Sequence, residues 1–288
     1  MKIDRLMSSQ QRFTLAALDR IEFYQEILGV QPATPEGKAV LEQFITLVVS
    51  KLSNSCSGLI LEPQFGFTSL KAKAAAVGIA FALENRHDAA PLQPPHLNES
   101  WGVEACKENY GVAKLEFFYN PEEDQSLAKK QLVAEIYDFC QYVHIDLLVL
   151  IRGQKAQGGV LASSALVDAQ LQTVIELQKN CDVIGLEYPG TALAAATITS
   201  EIDIPWLLVS SSQVKLEPYI ELKNHVREVI ENGASGCILG EVLFSDLNDH
   251  IKQDATLDWE YLETYVATQV RDRLVEIARI VDETKVLG

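Results

Sequence analysis

Short apolar runs rich in Val, Ile, Leu and Phe alternate along the chain with longer segments whose apolar residues recur every three or four positions. Continuous apolar runs of this length are typical of strands buried on both faces, and the longer period is typical of amphipathic helices. We predict eight strands, at Phe13–Leu18, Ser57–Leu61, Val77–Ala82, Val112–Phe118, Ile145–Ile151, Val183–Glu187, Trp206–Val209 and Gly236–Leu239. The helical pattern falls at Pro35–Leu52, Leu127–Val143, Leu166–Asn180, Leu216–Asn232 and Asp258–Thr284.

The alternation of strands and helices predicts a parallel sheet with right-handed crossovers. Eight such units favour a closed (β/α)8 barrel, a TIM barrel, and the chain length of 288 residues suits one. We expect one domain over residues 1–288, with the barrel at about 13–251 and a C-terminal helix at about 258–284. An open doubly wound sheet is the alternative, but no Gly-x-Gly-x-x-Gly motif follows the first strand.

Charge and composition narrow the function classes. The formal net charge of −16 argues against nucleic acid as a partner, because phosphate neutralisation needs a basic face. An anionic substrate would need a local positive site working against this field. The five cysteines form no Cys-x-x-Cys pair and predict reduced thiols rather than disulfides or metal ligands. We expect no signal peptide, no membrane span, no cofactor and a cytoplasmic location.

In a (β/α)8 barrel, functional side chains lie at the carboxyl ends of the strands. The candidates that follow or end the predicted strands are Asp19, Arg20, Glu62, Lys114, Glu116, Arg152, Glu187, Ser210, Ser211 and Glu241. A positive cluster at the barrel mouth would consist of Arg20, Lys114 and Arg152.

Three motifs carry a family resemblance. They are Leu-Ile-Leu-Glu-Pro-Gln-Phe-Gly at Leu59–Gly66, Val-Ala-Lys-Leu-Glu-Phe-Phe-Tyr-Asn at Val112–Asn120 and Asp-Val-Ile-Gly-Leu-Glu-Tyr-Pro at Asp182–Pro189. In order and spacing they resemble the second-, fourth- and sixth-strand motifs of the tagatose-1,6-bisphosphate aldolase family, class I aldolases on a (β/α)8 barrel. The resemblance covers roughly residues 13–251 and implies the same fold.

The chain departs from the family where the resemblance places the chemistry. Class I aldolases form a Schiff base between a lysine and a ketone, and the resemblance puts that lysine at Gly185. It puts a glutamate that assists proton transfer at Leu150, which cannot exchange a proton. An arginine that helps to hold a substrate phosphate corresponds to Glu241, which would repel the phosphate.

Lys114 is the candidate nucleophile that remains. A barrel-facing lysine on the fourth strand is the Schiff-base residue of transaldolase-type aldolases. The alternative is a structural lysine that neutralises Glu116, Glu187 or Glu62. Lys114 and Glu116 are two residues apart on a strand, so we predict that both face the same side. Glu187 is a candidate proton donor, although we favour it as a partner of Lys114.

The remaining candidates each keep two interpretations. Asp19 and Arg20 are candidate ligand-binding residues, but an aspartate at the end of a strand also commonly caps the next helix. Ser210 and Ser211 are candidate hydrogen-bonding groups for a ligand, or form a polar turn.

Two functions follow from the sequence. We favour a degenerate aldolase-like protein without class I aldolase activity, which acts as a binding, regulatory or assembly component with an unidentified protein partner or small ligand. The alternative is an active carbon–carbon lyase that uses Lys114 as nucleophile and Glu116 or Glu187 for proton transfer, on a phosphorylated or neutral sugar. The resemblance and the apolar C-terminal helix are compatible with a homo-oligomer.

Overall fold

The structure, a computed structural model, describes residues 2–31, 34–85, 92–153, 163–210, 218–247 and 257–287. Eight parallel strands form a closed barrel in which each strand pairs with its neighbours in chain order and β8 pairs with β1. The strands are β1 (Phe13–Leu18), β2 (Gly58–Leu61), β3 (Gly78–Ala82), β4 (Val112–Phe118), β5 (Leu147–Arg152), β6 (Val183–Leu186), β7 (Trp206–Val209) and β8 (Gly236–Leu239). The predicted (β/α)8 barrel is confirmed.

Helices surround the barrel. They are α1 (Ile21–Leu28), α2 (Pro35–Leu52), α3 (Pro63–Gly66), α4 (Val103–Glu108), α5 (Ser126–Val143), α6 (Ser163–Leu177), α7 (Ala192–Glu201), α8 (Tyr219–Glu231), α9 (Trp259–Tyr265) and α10 (Arg271–Glu283). The sequence of α2 explains why it begins where predicted: Thr34 caps it by accepting a hydrogen bond from the Gly37 amide at 3.0 Å. Pro35 occupies the first turn, where a missing N–H costs nothing.

The barrel interior is packed with apolar side chains from alternate strand positions, as expected for strands with one face inward. These side chains are Phe13, Leu15, Ile60, Ala80, Val112, Leu148, Leu150, Val183, Leu207, Val209 and Ile238. A 3-10 turn at Ile3–Leu6 closes the amino-terminal end of the barrel with two apolar residues of the same cluster. The barrel interior is therefore filled by apolar side chains, and polar side chains lie towards the carboxyl ends of the strands.

The C-terminal helix packs on the barrel, as its apolar spacing predicted. Leu274, Ile277 and Val281 are buried on one face of α10, which contacts α8 and β1. The predicted helix over 258–284 is interrupted by one turn of π-helix at Val266–Val270. Arg273 ties α10 to the segment after β8 through two hydrogen bonds to Asp246.

Some predicted bounds are wrong by one or two residues. Strand β5 begins at Leu147 and includes Arg152, and β6 ends at Leu186, so Glu187 lies in the connection that follows. The helical pattern predicted at Leu216–Asn232 corresponds to α8, which begins at Tyr219. The predicted first residue, Leu216, lies outside the described residues. Among the described helices, none has the length and apolar content needed to cross a membrane.

Candidate functional site

Lys114 lies at the centre of a cluster of buried charges at the carboxyl end of the barrel. Its Nζ donates to Asp19 Oδ2 at 2.6 Å and to Glu84 Oε1, and it lies 3.0 Å from Glu116 Oε2. The side chain has no solvent exposure. A lysine ammonium has three N–H bonds, and three carboxylates surround this one. Lys114 is therefore enclosed as a charged, hydrogen-bonded group.

Glu116 is the point at which three cations converge. Its Oε1 accepts hydrogen bonds from Arg20 Nη2 and Arg152 Nε, each at 2.8 Å, while Oε2 faces Lys114. Its backbone amide donates to Glu84 Oε2 at 3.1 Å, which holds the Glu84 carboxylate against the backbone of β4. The prediction that Lys114 and Glu116 share one side of β4 is confirmed. The Glu116 carboxylate occupies the place that an anion would take among these cations.

The two arginines are also bound to further carboxylates. Arg20 Nε lies 2.9 Å from Glu241 Oε1, and Arg152 Nη1 lies 3.7 Å from Glu187 Oε1. Glu187 Oε2 accepts from the Gly153 amide at 3.0 Å. The predicted pairing of Glu187 with Lys114 is wrong, because β6 ends before Glu187 and its carboxylate turns to β5.

Burial lowers the pKa of Arg152, but the carboxylates of Glu116 and Glu187 outweigh that effect and leave the pKa above its ordinary value. The guanidinium is therefore charged. Counted over the described residues alone, the cluster joins three cations to five carboxylates, a formal charge of −2. Its members are Lys114, Arg20, Arg152, Asp19, Glu84, Glu116, Glu187 and Glu241.

Asp19 does not cap the helix that follows it. Its carboxylate is buried against Lys114, and α1 begins after Arg20 without a side-chain cap. Glu62 takes a capping role instead, since its Oε2 accepts from the Phe65 amide at 3.0 Å at the start of α3. Of the two interpretations of Asp19, the helix cap is therefore wrong. Of the three carboxylates named as alternative partners of Lys114, Glu116 contacts it.

Ser210 is a structural residue of the cluster. Its carbonyl oxygen accepts from Arg152 Nη1 at 3.0 Å, and its Oγ accepts from the Gly240 amide at 3.3 Å. These bonds link β5, β7 and β8 at the same level. Ser211 lies outside the described residues.

A cleft of about 510 Å³ opens beside the cluster, above β1, β2 and β3. Its described lining consists of Asp19, Ile21, Glu22, Lys38, Glu62, Pro63, Gln64, Phe67, Ala82, Glu84, Asn85, Asn98, Ser100 and Trp101. Asp19 and Glu84 belong to both the cleft wall and the Lys114 cluster, so one layer of carboxylates separates the ammonium from the cleft. The described lining contains four carboxylates, of which those of Asp19 and Glu84 contact Lys114, and one ammonium, that of Lys38.

Carboxylate oxygens of Asp19, Glu84 and Glu116 lie within 4.8 Å of one another, a spacing at which they are able to ligate a metal ion. In this chain the Lys114 ammonium contacts all three. The arrangement therefore supplies its own cation, and it does not require a metal to neutralise these acids.

The sequence resembles two curated aldolases. It is 24% identical over 239 residues to tagatose 1,6-diphosphate aldolase 2 of Enterococcus faecalis, covering 76% of this chain and 72% of that protein. It is 26% identical over 161 residues to tagatose 1,6-diphosphate aldolase 1 of the same organism, covering 52% of this chain and 50% of that protein. A solved archaeal fructose 1,6-bisphosphate aldolase has the same fold, with a TM-score of 0.64, 16% identity and 96% coverage of both chains.

No model of a known protein family matches the chain. The chain is an aldolase-like (β/α)8 barrel. The resemblance places the family's Schiff-base lysine at Gly185, on β6 of this aldolase-like barrel. A Cβ atom added at Gly185 would lie 2.5 Å from Leu150 Cδ2 and 2.7 Å from Val209 Cγ2. Even the first atom of a side chain at this position would therefore require Leu150 and Val209 to shift.

Leu150 fills the space that Gly185 leaves. The two residues are register partners on β5 and β6, and Leu150 is the residue that the resemblance aligns with the family's glutamate. The two departures predicted from sequence thus form one apolar contact inside the aldolase-like barrel. The cleft lies over β1–β3, on the side of the barrel away from β6.

Sequence analysis missed Glu84, which has two contacts in the Lys114 cluster. Glu84 lies two residues after β3, and it was the first charged residue after that strand in the sequence. Asn98 and Trp101 were also missed, because they come from the long connection between β3 and α4, where periodicity carries no signal. An isolated antiparallel bridge between Glu84 and Leu97 brings this connection back to the barrel mouth.

Proposed function

We propose that this aldolase-like barrel lacks class I aldolase activity and acts as a binding component, with its small-molecule site in the cleft above β1–β3. The enclosure of Lys114 carries the proposal. A Schiff-base nucleophile must present a neutral amine to a carbonyl carbon. Lys114 instead has no solvent exposure and points its Nζ at three carboxylates.

The neighbourhood of Gly185 supports the same conclusion. The position that the resemblance assigns to the nucleophile has no side chain, and Leu150 and Val209 occupy the space beside it. Glu241, at the position of the family's phosphate-holding arginine, forms an ion pair with Arg20 at 2.9 Å. A sugar bisphosphate would meet an added negative charge there.

A second candidate, a lyase that uses Lys114, is favoured by one observation. The carboxylates of Asp19 and Glu84 contact Lys114 Nζ and also line the cleft. In that mechanism one of them would take a proton from the ammonium, and the freed amine would attack a carbonyl bound in the cleft. The carboxylic acid formed in this way would return its proton to the carbinolamine hydroxyl, which leaves as water and gives an iminium ion on Lys114. The other carboxylate would take the proton of the substrate hydroxyl as the carbon–carbon bond breaks and an aldehyde departs, and it would then give that proton to the enamine carbon that remains on Lys114, before water hydrolyses the imine and frees the lysine.

Reductive trapping separates the two candidates. The full chain is incubated with dihydroxyacetone phosphate and, separately, with free ketoses, then treated with borohydride and digested for mass spectrometry. We expect no adduct on Lys114 with any carbonyl compound. A borohydride-stable adduct on Lys114 would overturn the proposal in favour of the lyase.

Two controls make a negative result meaningful. A class I aldolase treated in parallel must give its adduct, which shows that the reagents work. Any adduct that the wild-type protein gives must be absent from Lys114→Met. An adduct that persists in the variant lies on another, partly exposed lysine, such as Lys51.

A further inference from the structure

We propose that the protein has a second small-molecule site, at the amino-terminal end of the barrel, and that this site binds a short amino alcohol. Such a ligand carries an ammonium group, a hydroxyl group and an aliphatic chain that joins them. The site is a pocket of about 430 Å³ between α10 and the amino-terminal ends of β1, β2 and β3. This volume lies within the range of roughly 300–1,000 Å³ typical of small-molecule sites. The pocket shares no described lining residue with the cleft, so the inference goes beyond the proposed function.

Thr14 offers a buried hydroxyl to this pocket. Its neighbours Phe13 and Leu15 point into the barrel, so side-chain alternation turns Thr14 outward, to the side on which α10 packs against β1. Thr14 lines the pocket although the residue is only 3% exposed. Its hydrogen bonds to Ser57 use the Thr14 amide and carbonyl, and among the described residues none engages the Thr14 hydroxyl. Buried hydroxyls normally have a hydrogen-bond partner, so this one is available to a ligand.

Two serines add to this hydrogen-bonding capacity. Ser53 is also only 3% exposed, and its Oγ accepts from the Ala74 amide at 2.9 Å, which leaves the Ser53 O–H bond to donate. Ser55 donates its amide to the Leu52 carbonyl, and among the described residues no hydrogen bond engages its Oγ. A ligand hydroxyl both donates and accepts, whereas a phosphate only accepts and an ammonium only donates. The hydroxyls of the pocket therefore match a hydroxyl group of the ligand.

Asp282 gives the pocket its charge. Val275, Ala278 and Asp282 are spaced by three and four residues along α10, so they lie on one face of the helix, and all three line the pocket. Ser8 Oγ donates to Asp282 Oδ1 at 2.8 Å, and among the described residues Oδ2 keeps its capacity to accept. The described lining contains no lysine, arginine or histidine. An ammonium group is therefore favoured here, and a phosphate or carboxylate is repelled.

Apolar side chains form part of the remaining wall. Met7 and Val77 line the pocket together with Val275 and Ala278 of α10, and Val275 is 47% exposed. An aliphatic chain bound here would remove this apolar surface from water, which is favourable. The pocket thus combines hydroxyls, one carboxylate and an apolar wall. An amino alcohol has one matching group for each of them.

Ligand-observed NMR with a matched series of compounds tests the inference on the full chain. The probes are amino alcohols with three to six carbons and the diols, alkylamines and hydroxy acids of the same chain lengths, all at one ionic strength. We expect saturable binding of at least one amino alcohol at low millimolar concentration. The corresponding diol and alkylamine each lack one polar group and should bind at least about twofold more weakly. The hydroxy acid should show no saturable binding.

Variants locate the two ends of the ligand. Asp282→Asn should weaken binding of the amino alcohol about two- to fivefold, as expected for a solvent-screened ion pair, with a smaller effect on the diol. Thr14→Val, which keeps the shape of the side chain, should weaken binding of the amino alcohol about two- to tenfold, with a smaller effect on the alkylamine. Ser55→Ala repeats this test at a more accessible hydroxyl. Glu283→Gln is the matched control, because it makes the same charge change on α10 at a residue that does not line the pocket.

Circular dichroism must be unchanged in each variant that is compared. The ligand class is overturned if no amino alcohol binds saturably, or if the hydroxy acid binds as tightly. The site is overturned if Asp282→Asn and Glu283→Gln have equal affinity, since the ammonium would then respond only to the overall negative charge. It is also overturned if Thr14→Val and Ser55→Ala both bind like the wild type. None of these results depends on borohydride trapping at Lys114, so this site and the absence of aldolase activity are refuted separately.

Discussion

Gly185→Ala tests whether neighbouring side chains occupy the space beside Gly185, the position that the resemblance assigns to the Schiff-base lysine. The substitution adds one methyl group inside the barrel at a position with ordinary backbone geometry, so its effect reports on packing. The added Cβ would lie 2.5 Å from Leu150 Cδ2 and 2.7 Å from Val209 Cγ2, both well inside van der Waals contact.

The expected cost follows from these contacts. Inserting a methyl group into a packed core costs about 1–3 kcal/mol, because neighbours must leave their rotamers. Both contacting atoms are ends of side chains and not backbone, which keeps the cost in that range. Leu150→Ala alone should cost about 2–5 kcal/mol through the cavity that it leaves. In the Leu150→Ala background, Gly185→Ala should cost less than in the wild-type protein.

Chemical denaturation of the four proteins gives a double-mutant cycle, and we expect a coupling energy of at least about 1 kcal/mol between the two sites. Gly102→Ala is the matched control. An added Cβ there meets no atom within 4 Å, and its φ of −133° suits any residue. Because Gly102 is the N-cap of α4, where alanine is disfavoured, this control should cost no more than about 1 kcal/mol and should show no coupling to Leu150→Ala.

The packing argument fails if Gly185→Ala is as stable as Gly102→Ala. It also fails if Gly185→Ala costs the same in both backgrounds, since Leu150 would then not occupy the space. In either case the first side-chain atom at position 185 would fit without displacing Leu150.

Three further predictions concern charge and titration. Glu116→Ala should cost about 3–5 kcal/mol because it removes the one buried carboxylate that Lys114, Arg20 and Arg152 share, and acetate but not chloride should raise the melting temperature of the variant while leaving that of the wild type unchanged. Arg273 holds the pKa of Asp246 at about 2, against an ordinary 3.8, so this ion pair stabilises the fold above about pH 4 and the contribution disappears as the pH falls to about 2. Arg273→Met should therefore lose about 1 kcal/mol at pH 7, a value reduced for solvent screening, and almost none of this difference should remain at pH 2 in denaturation curves. Burial raises the pKa of Cys106 and Cys140 to about 12, so a thiol reagent at pH 8 should label them quickly only after unfolding; rapid labelling of the native protein would contradict their burial.

The strands were predictable from local sequence, because a short, continuous apolar run indicates a strand that is buried on both faces. A run such as Val112–Phe118 is apolar on both faces except for Lys114 and Glu116, and the structure gives β4 those bounds. The two polar residues share a face because side chains alternate along a strand. The spacing of Lys114 and Glu116, two residues apart on one strand, was therefore enough to predict that they share a side.

The partners of Lys114 were not predictable in the same way. Asp19 and Glu84 are 95 and 30 positions away, and only the closure of the barrel brings the ends of β1 and β3 to β4. The sequence offered several carboxylates at strand ends without a rule for choosing among them. Glu187 was chosen wrongly, because the end of β6 one residue earlier than predicted changes which strand its side chain faces.

The departures from the aldolase pattern are consistent with one another in physical terms. Gly185 and Leu150 replace two polar functions with an apolar contact that needs no further compensation. Glu241 places a negative charge where the resemblance expects a positive one, but it forms an ion pair with Arg20, so the buried charge is neutralised. Restoring a lysine at position 185 alone would put an ammonium against Leu150 and Val209. The buried ammonium of that lysine would need a carboxylate at position 150 to compensate its charge. We therefore expect no single substitution to restore aldolase chemistry.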